Sequence, residues 1–224
     1  MGAAIAVLMF LAFVALDYVL NRKREAAAVA SATTTEPGIL PGLEPVWVAG
    51  YEQPEELYYH PAHTWAQVVS NDTVAVGVDD FAGKLLGKVT TLQIPKVGSW
   101  LRQGATGFEI VADGREAAFL SPVEGQIIET NRELREHPEL AVSDPYRRGW
   151  LFKVRSASLA ANLRNLLSGS TARRWLEDSR DQLRYELMAF SGSVLQDGGE
   201  PAPDFWNHLD PEEWRRIVGR FLRT

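Results

Sequence analysis

The 224-residue chain contains no cysteine. That excludes disulfides, thiolate catalysis, iron–sulfur clusters and cysteine-based zinc sites, and it leaves the redox compartment open. Lysine is missing from a long central window: none occurs between Lys96 and Lys153. No glycine-rich phosphate loop, activated serine or His–carboxylate constellation can be read, so no catalytic residue is assigned and a stand-alone enzyme is not expected. A formal net charge of −6 is a poor match for nucleic-acid binding. The length allows one domain of roughly 100–150 residues with extensions.

The chain opens on a long apolar run. Ala3 to Leu20 is broken only by Asp17. Eighteen helical residues reach about 27 Å, close to the hydrocarbon thickness of a bilayer. Arg22, Lys23 and Arg24 follow directly, and no Lys or Arg precedes the run. The positive-inside rule keeps such a flank in the cytoplasm. Residues 1–24 therefore read as a single-pass transmembrane anchor with the soluble body on the cytoplasmic side. The rival is a cleaved signal peptide ending in Ala26-Ala-Ala-Val-Ala-Ser-Ala, but signal peptides carry their positive charge before the apolar run. Residues 25–45, rich in Ala, Thr, Pro and Gly, read as a linker that holds the next domain off the bilayer.

Residues 46–169 read as short strands. Leu57 to Val69 is a turn leading into a strand. Thr73-Val-Ala-Val-Gly-Val alternates and is β-branched. Asp79 to Gly87 reads as a short helix with an Asp cap and a Gly stop. Lys88 to Pro95 is a strand ended by proline, and Val97 to Gly104 a turn with a short strand. Gly107 to Leu120 holds two apolar-rich runs around Asp113-Gly114, the signal for a type I′ hairpin turn. Gln126 to Asn131 and Trp150 to Val154 complete the set. Close-spaced strands with Gly/Pro turns predict a sandwich or barrel.

Several of these residues, in order and spacing, resemble the H protein of the glycine cleavage system. Tyr59, His63 and Trp65 match its opening signature. Val76, Gly77, Asp80, Phe81, Ala82, Leu86 and Gly87 match the next, followed by Ile94, Pro95, Val97 and Gly98. Ser121 to Gly125 stands where the family has Ala-Pro-Val-Ser-Gly. Asn131, Leu134, Pro138, Glu139 and Leu140 follow. The most specific match is Asp144, Pro145, Tyr146, Gly149, Trp150, Leu151, Phe152, Lys153 and Val154. The resemblance covers Leu57 to Gly169. It implies a mainly β fold, a lipoyl-type hybrid barrel-sandwich with flanking helices. It also implies a swinging lipoyl arm, joined to a lysine in Glu-Ser-Val-Lys-Ala at the hairpin tip. That arm carries an aminomethyl group between a pyridoxal-phosphate decarboxylase, a folate-dependent transferase and a flavin dehydrogenase.

Here the chain departs from the family. The lysine position falls on Gly114, preceded by Val111, Ala112 and Asp113. Arg115 cannot substitute, because its guanidinium stays protonated and accepts acyl groups poorly. Lipoyl attachment is therefore expected to be lost, and no cofactor is expected. The charged tip of Asp113, Gly114, Arg115 and Glu116 reads either as a solvated turn or as a contact for a protein partner. His60 and His63 have a chelating spacing only on a helix, and Pro61 puts them in a loop, so no metal site is assigned. His137 and His208 read as surface residues, and Asp79 and Asp80 as helix-start carboxylates.

Residues 170–224 read as a helical extension. Leu159, Leu163, Leu166 and Leu167 predict one amphipathic helix; Leu176, Leu183, Leu187 and Phe190 predict a second over 171–190. Gly192 to Pro203 reads as a loop. Asp210-Pro-Glu-Glu is a capped helix start, and Trp214, Ile217, Val218, Phe221 and Leu222 form an apolar stripe. That stripe requires a surface: its own domain, a partner, or a membrane whose headgroups meet Arg215, Arg216, Arg220 and Arg223. The expected function is a non-catalytic, membrane-anchored H-protein-like scaffold or adaptor that binds protein partners, with no nucleic acid and no small-molecule substrate. The alternative is a carrier subunit of a glycine cleavage or related one-carbon or redox system.

Overall fold

The computed structural model describes Leu40 and residues 43–188 and 205–223. The expected anchor over 1–24 lies outside the described residues, as does the linker over 25–45 apart from Leu40 and residues 43–45. Among the described residues no helix is long and apolar enough to cross a membrane. Residues 42–224 form one compact unit.

Two sheets carry that unit. The larger has six strands: β3 (Tyr58–His60), β4 (Thr64–Val68), β5 (Thr73–Val78), β11 (Phe152–Arg155), β10 (Gly125–Thr130) and β7 (Trp100–Leu101), in that spatial order. The smaller orders β6 (Val89–Gln93), β8 (Thr106–Ala112) and β9 (Arg115–Leu120). A two-residue ribbon, β1 (Trp47–Val48) with β2 (Tyr51–Glu52), precedes them. All pairings are antiparallel. Among the described residues five α-helices accompany the strands: α1 (Asp80–Leu86), α2 (Leu140–Ser143), α3 (Leu159–Arg164), α4 (Gly169–Met188) and α5 (Pro211–Leu222).

The sheets share one apolar core. Phe108 on β8 stacks on Phe119 of β9 at 5.1 Å and meets Phe152 of β11 edge-on at 5.5 Å, which joins the smaller sheet to the larger. Trp65 is fully buried and its indole N–H donates to the Val78 carbonyl at 2.8 Å. The Asp-Pro-Tyr segment acts through Tyr146. Its hydroxyl donates to the Glu52 carbonyl at 2.6 Å and accepts from the Asp80 N–H at 3.0 Å. Burial holds this phenol well above its ordinary pKa, with the neighbouring Tyr59 adding to the effect, so it keeps the proton that it donates.

Two sequence expectations change. The leucines from 159 to 167 do not form one helix: α3 stops at Arg164. Leu167 instead exchanges both backbone bonds with Tyr59 at 2.8 Å. This non-local pairing overrides the helical spacing and fastens the start of α4 to β3. The turn before β4 also holds a strand of its own, β3, which pairs with β4 through a turn where His63 takes φ 60°.

Candidate partner interface at the hairpin tip

β8 and β9 form the expected hairpin. Ala112 faces Arg115 in the register, and Asp113 and Gly114 take φ of 48° and 76°. Both lie in the left-handed region that a type I′ turn needs, which glycine meets without a Cβ penalty and Asp tolerates. A Cβ built on Gly114 meets nothing within 4 Å. The position has room for a side chain, and only its positive φ favours glycine.

The tip is not wholly solvated. Asp113, Gly114 and Glu116 are exposed, but Arg115 is half-buried. Its guanidinium donates to the Trp206 carbonyl at 3.4 and 3.5 Å and lies 5.3 Å from the centre of the Trp214 ring. Both tryptophans belong to the C-terminal segment. Residues Phe205–His208 form a 3₁₀ turn that lays Trp206 over Gly87. A Cβ at Gly87 would come 2.2 Å from the Trp206 indole nitrogen, and Gly87 has φ 85°. The helix stop read in the sequence is thus also a seat for Trp206.

α5 follows, started by a full capping box. The Asp210 carboxylate accepts from the Glu212 and Glu213 N–H groups, the Glu213 carboxylate accepts from the Asp210 N–H, and Pro211 opens the helix. Trp214, Ile217, Val218, Phe221 and Leu222 are all buried against the chain's own α1, α4 and β9. The membrane-surface reading of this helix therefore does not hold: its apolar stripe is already covered. Arg220 pairs with Glu186 of α4 at 2.7 Å.

The far end of α5 rests on the histidine loop. Phe221 packs on Phe81 at 5.2 Å and on His63 at 6.2 Å. His63 Nδ1 lies 2.8 Å from Asp79 Oδ2, and its ring stacks on Phe81 at 4.2 Å and meets Trp175 in a tilted contact at 4.6 Å. Asp79 Oδ1 accepts from the Ala82 N–H at 2.8 Å, the expected helix cap. Asp80 instead pairs with Lys84 and accepts from the Glu52 N–H. His60 turns its Nδ1 to the Ala62 N–H at 3.1 Å, so the two histidines face separate partners. Among the described residues no group of three or more His, Asp or Glu could hold a metal. His137 and His208 are exposed. Sequence reasoning missed Trp206 and Trp175. A lone tryptophan in a Gly/Pro-rich surround carries no period, and Trp175 was hidden by the leucine stripe of its helix.

The C-terminal segment also bears on pH dependence. Burial lowers the His60 pKa from 6.5 to about 4, with the Arg223 charge and then His63 acting in the same direction. Below pH 6.5 the unfolded chain takes up a proton that the folded chain refuses until about pH 4. Folding stability is therefore expected to fall as pH drops through that window and to level off below it. His60→Asn keeps an acceptor for the Ala62 N–H and removes the titration. Urea unfolding across this range should show a flatter profile for the variant than for the natural chain.

The glycine cleavage H-protein model matches residues 57–179. The chain belongs to the glycine cleavage H-protein family. A probable glycine cleavage system H protein of Thermococcus gammatolerans is 35% identical over 130 residues, which are 58% of this chain and 96% of the relative. The H protein of Magnetococcus marinus is 38% identical over 125 residues, 55% of this chain and 87% of the relative. The crystal structure of an H protein from Mycobacterium marinum is similar at 25% identity with a TM-score of 0.47, covering 56% of this chain and 98% of that one. The family match ends inside α4, so Trp206 and α5 lie beyond the matched part of this H-protein-family chain. Gly87→Ala tests their seat. The substitution should displace Trp206 and speed exchange of the 205–223 amides while the strands stay protected.

Proposed function

We propose that this chain is an H-protein-like module that has lost lipoyl attachment and serves as a membrane-anchored adaptor for protein partners. The observation that carries the reading is the hairpin tip. It holds no lysine, since none occurs between Lys96 and Lys153, and its Arg115 is engaged by the chain's own C-terminal segment. On this reading Gly114 stands at the family's attachment position. Residues 1–24 anchor the chain, residues 25–45 tether it, and the body faces the cytoplasm. No acyl-accepting amine, metal or catalytic set is needed for such a role. The exposed part of the tip, Asp113, Gly114 and Glu116, is left for a partner. Native electrophoresis of the detergent-solubilised chain from its source should show a stoichiometric complex. Migration as an isolated chain would contradict the adaptor role.

One observation favours a second reading, a carrier subunit of a glycine cleavage or related one-carbon or redox system. The Asp113 N–H donates to the Lys88 carbonyl at 3.1 Å, which sets an exposed lysine beside the turn. An acyl adduct mapped to Lys88 would decide for this reading.

A further inference from the structure

β6 is an outer strand of the smaller sheet, bonded to β8 on one side only. Alternate N–H and C=O groups of such a strand point away from the sheet and invite another chain. Along this edge runs a groove of about 690 Å³, within the roughly 300–1,000 Å³ range of ligand sites. Thr90, Thr91 and Leu92 all line it. Successive side chains of a strand point to opposite faces, so three consecutive lining residues mean that the groove follows the edge. The other wall is the 130–138 segment, held rigidly by Asn131. Its amide donates to the Arg148 and Trp150 carbonyls at 2.6 and 2.8 Å, and its oxygen accepts from the Glu133 N–H at 3.1 Å.

The charge of the groove is one-sided. Lys96 and Arg135 line it and no carboxylate does, on a chain whose net charge is −6. Of the acids flanking Arg135 in sequence, Glu133 is taken by Arg148 and Glu136 is exposed outside the groove lining. Leu92, Ile94 and Leu134 supply apolar floor, and Val97 is 57% exposed at the groove's end. Lys96, Pro95 and the bulge at Thr90 are also devices that blunt an open edge. They leave Thr91 to Gln93 between them as a short, unblocked run.

We infer that this groove binds an extended, acidic segment of a protein partner, which adds a strand to β6. Backbone bonds to the edge would supply binding, apolar side chains would seat on Leu92, Ile94 and Leu134, and carboxylates would meet Lys96 and Arg135. A lipoylated chain would leave this inference standing, so it and the reading of the hairpin fail separately.

The test is selection of a random linear heptapeptide phage library on the full-length chain in detergent micelles. Enriched peptides should carry Asp or Glu, alternate with apolar residues and avoid proline at the centre. A synthetic copy should slow amide exchange at residues 90–93. Lys96→Glu/Arg135→Glu should weaken it by on the order of tenfold or more with unfolding temperature unchanged, since both side chains are exposed. Failure to enrich any peptide would overturn the inference, as would peptides that bind the double variant equally well. A concentration-dependent dimer in sedimentation that the peptide splits would also overturn it, because the occupant would then be a second copy of the chain.

Discussion

Trp214→Ala is expected to cost about 3–5 kcal/mol, the range for truncating a buried tryptophan to alanine. Trp214 is 2% exposed and faces both the core and the Arg115 guanidinium. The loss should surface as undocking of the C-terminal segment. α5 meets the rest of the fold through one apolar stripe and the Arg220–Glu186 pair, and every sheet pairing lies within residues 43–188. At about 1.4 kcal/mol per tenfold, amides of 205–223 should exchange roughly 10² to 4 × 10³ times faster. Amides of β8 and β9 should change far less. Equal loss of protection in all three would show that α5 is part of the folding core. The undocked variant also frees Arg115, so partner binding by the tip can be compared with the segment on and off.

Asp79→Ala should be nearly as severe, by a different route. One oxygen caps α1 at Ala82 and the other holds the buried His63 ring. Losing an N-cap costs about 0.5–2 kcal/mol, and leaving a buried polar group without its partner adds about 1–3 kcal/mol. A total of about 1.5–5 kcal/mol is expected from urea unfolding. Asp79→Asn keeps the cap, because Asn serves as well there, and forces only the His63 contact to rearrange. It should cost clearly less. Equal costs for the two substitutions would mean that the carboxylate acts on His63 alone.

The parts of this molecule that were legible in the sequence are those whose chemistry is local. Asp113-Gly114 specifies its turn because two adjacent residues must both take positive φ. Asp79 and Gly87 bound α1, and Asp210, Pro211 and Glu213 start α5, because a helix end has orphan donors that a particular side chain satisfies within three residues. What was missed is non-local. β1, β2 and β3 are two or three residues long and exist through pairing, which no period of that length reveals. Leu166 and Leu167 continue a helical spacing, yet the bridge to Tyr59 ends the helix first. The stripe on α5 announces that some surface must cover it, but not which one. Only the fold shows Trp206 over Gly87 and Trp214 beside Arg115, and hence that the C-terminal segment closes on the hairpin tip. The absence of lysine from the tip was fully legible. The nearness of Lys88 to that tip was not, because twenty-odd residues and a strand pairing separate them.

We propose above all that this H-protein-family chain carries no lipoyl arm. The most direct test is intact-mass measurement of the full-length chain isolated from its source, followed by peptide mapping, with Gly114→Lys expressed in the same host as a control. An unmodified mass is expected for the natural chain, with unmodified peptides across Lys88 and the hairpin. A stoichiometric lipoyl adduct on Lys88, or on any other residue, would contradict it.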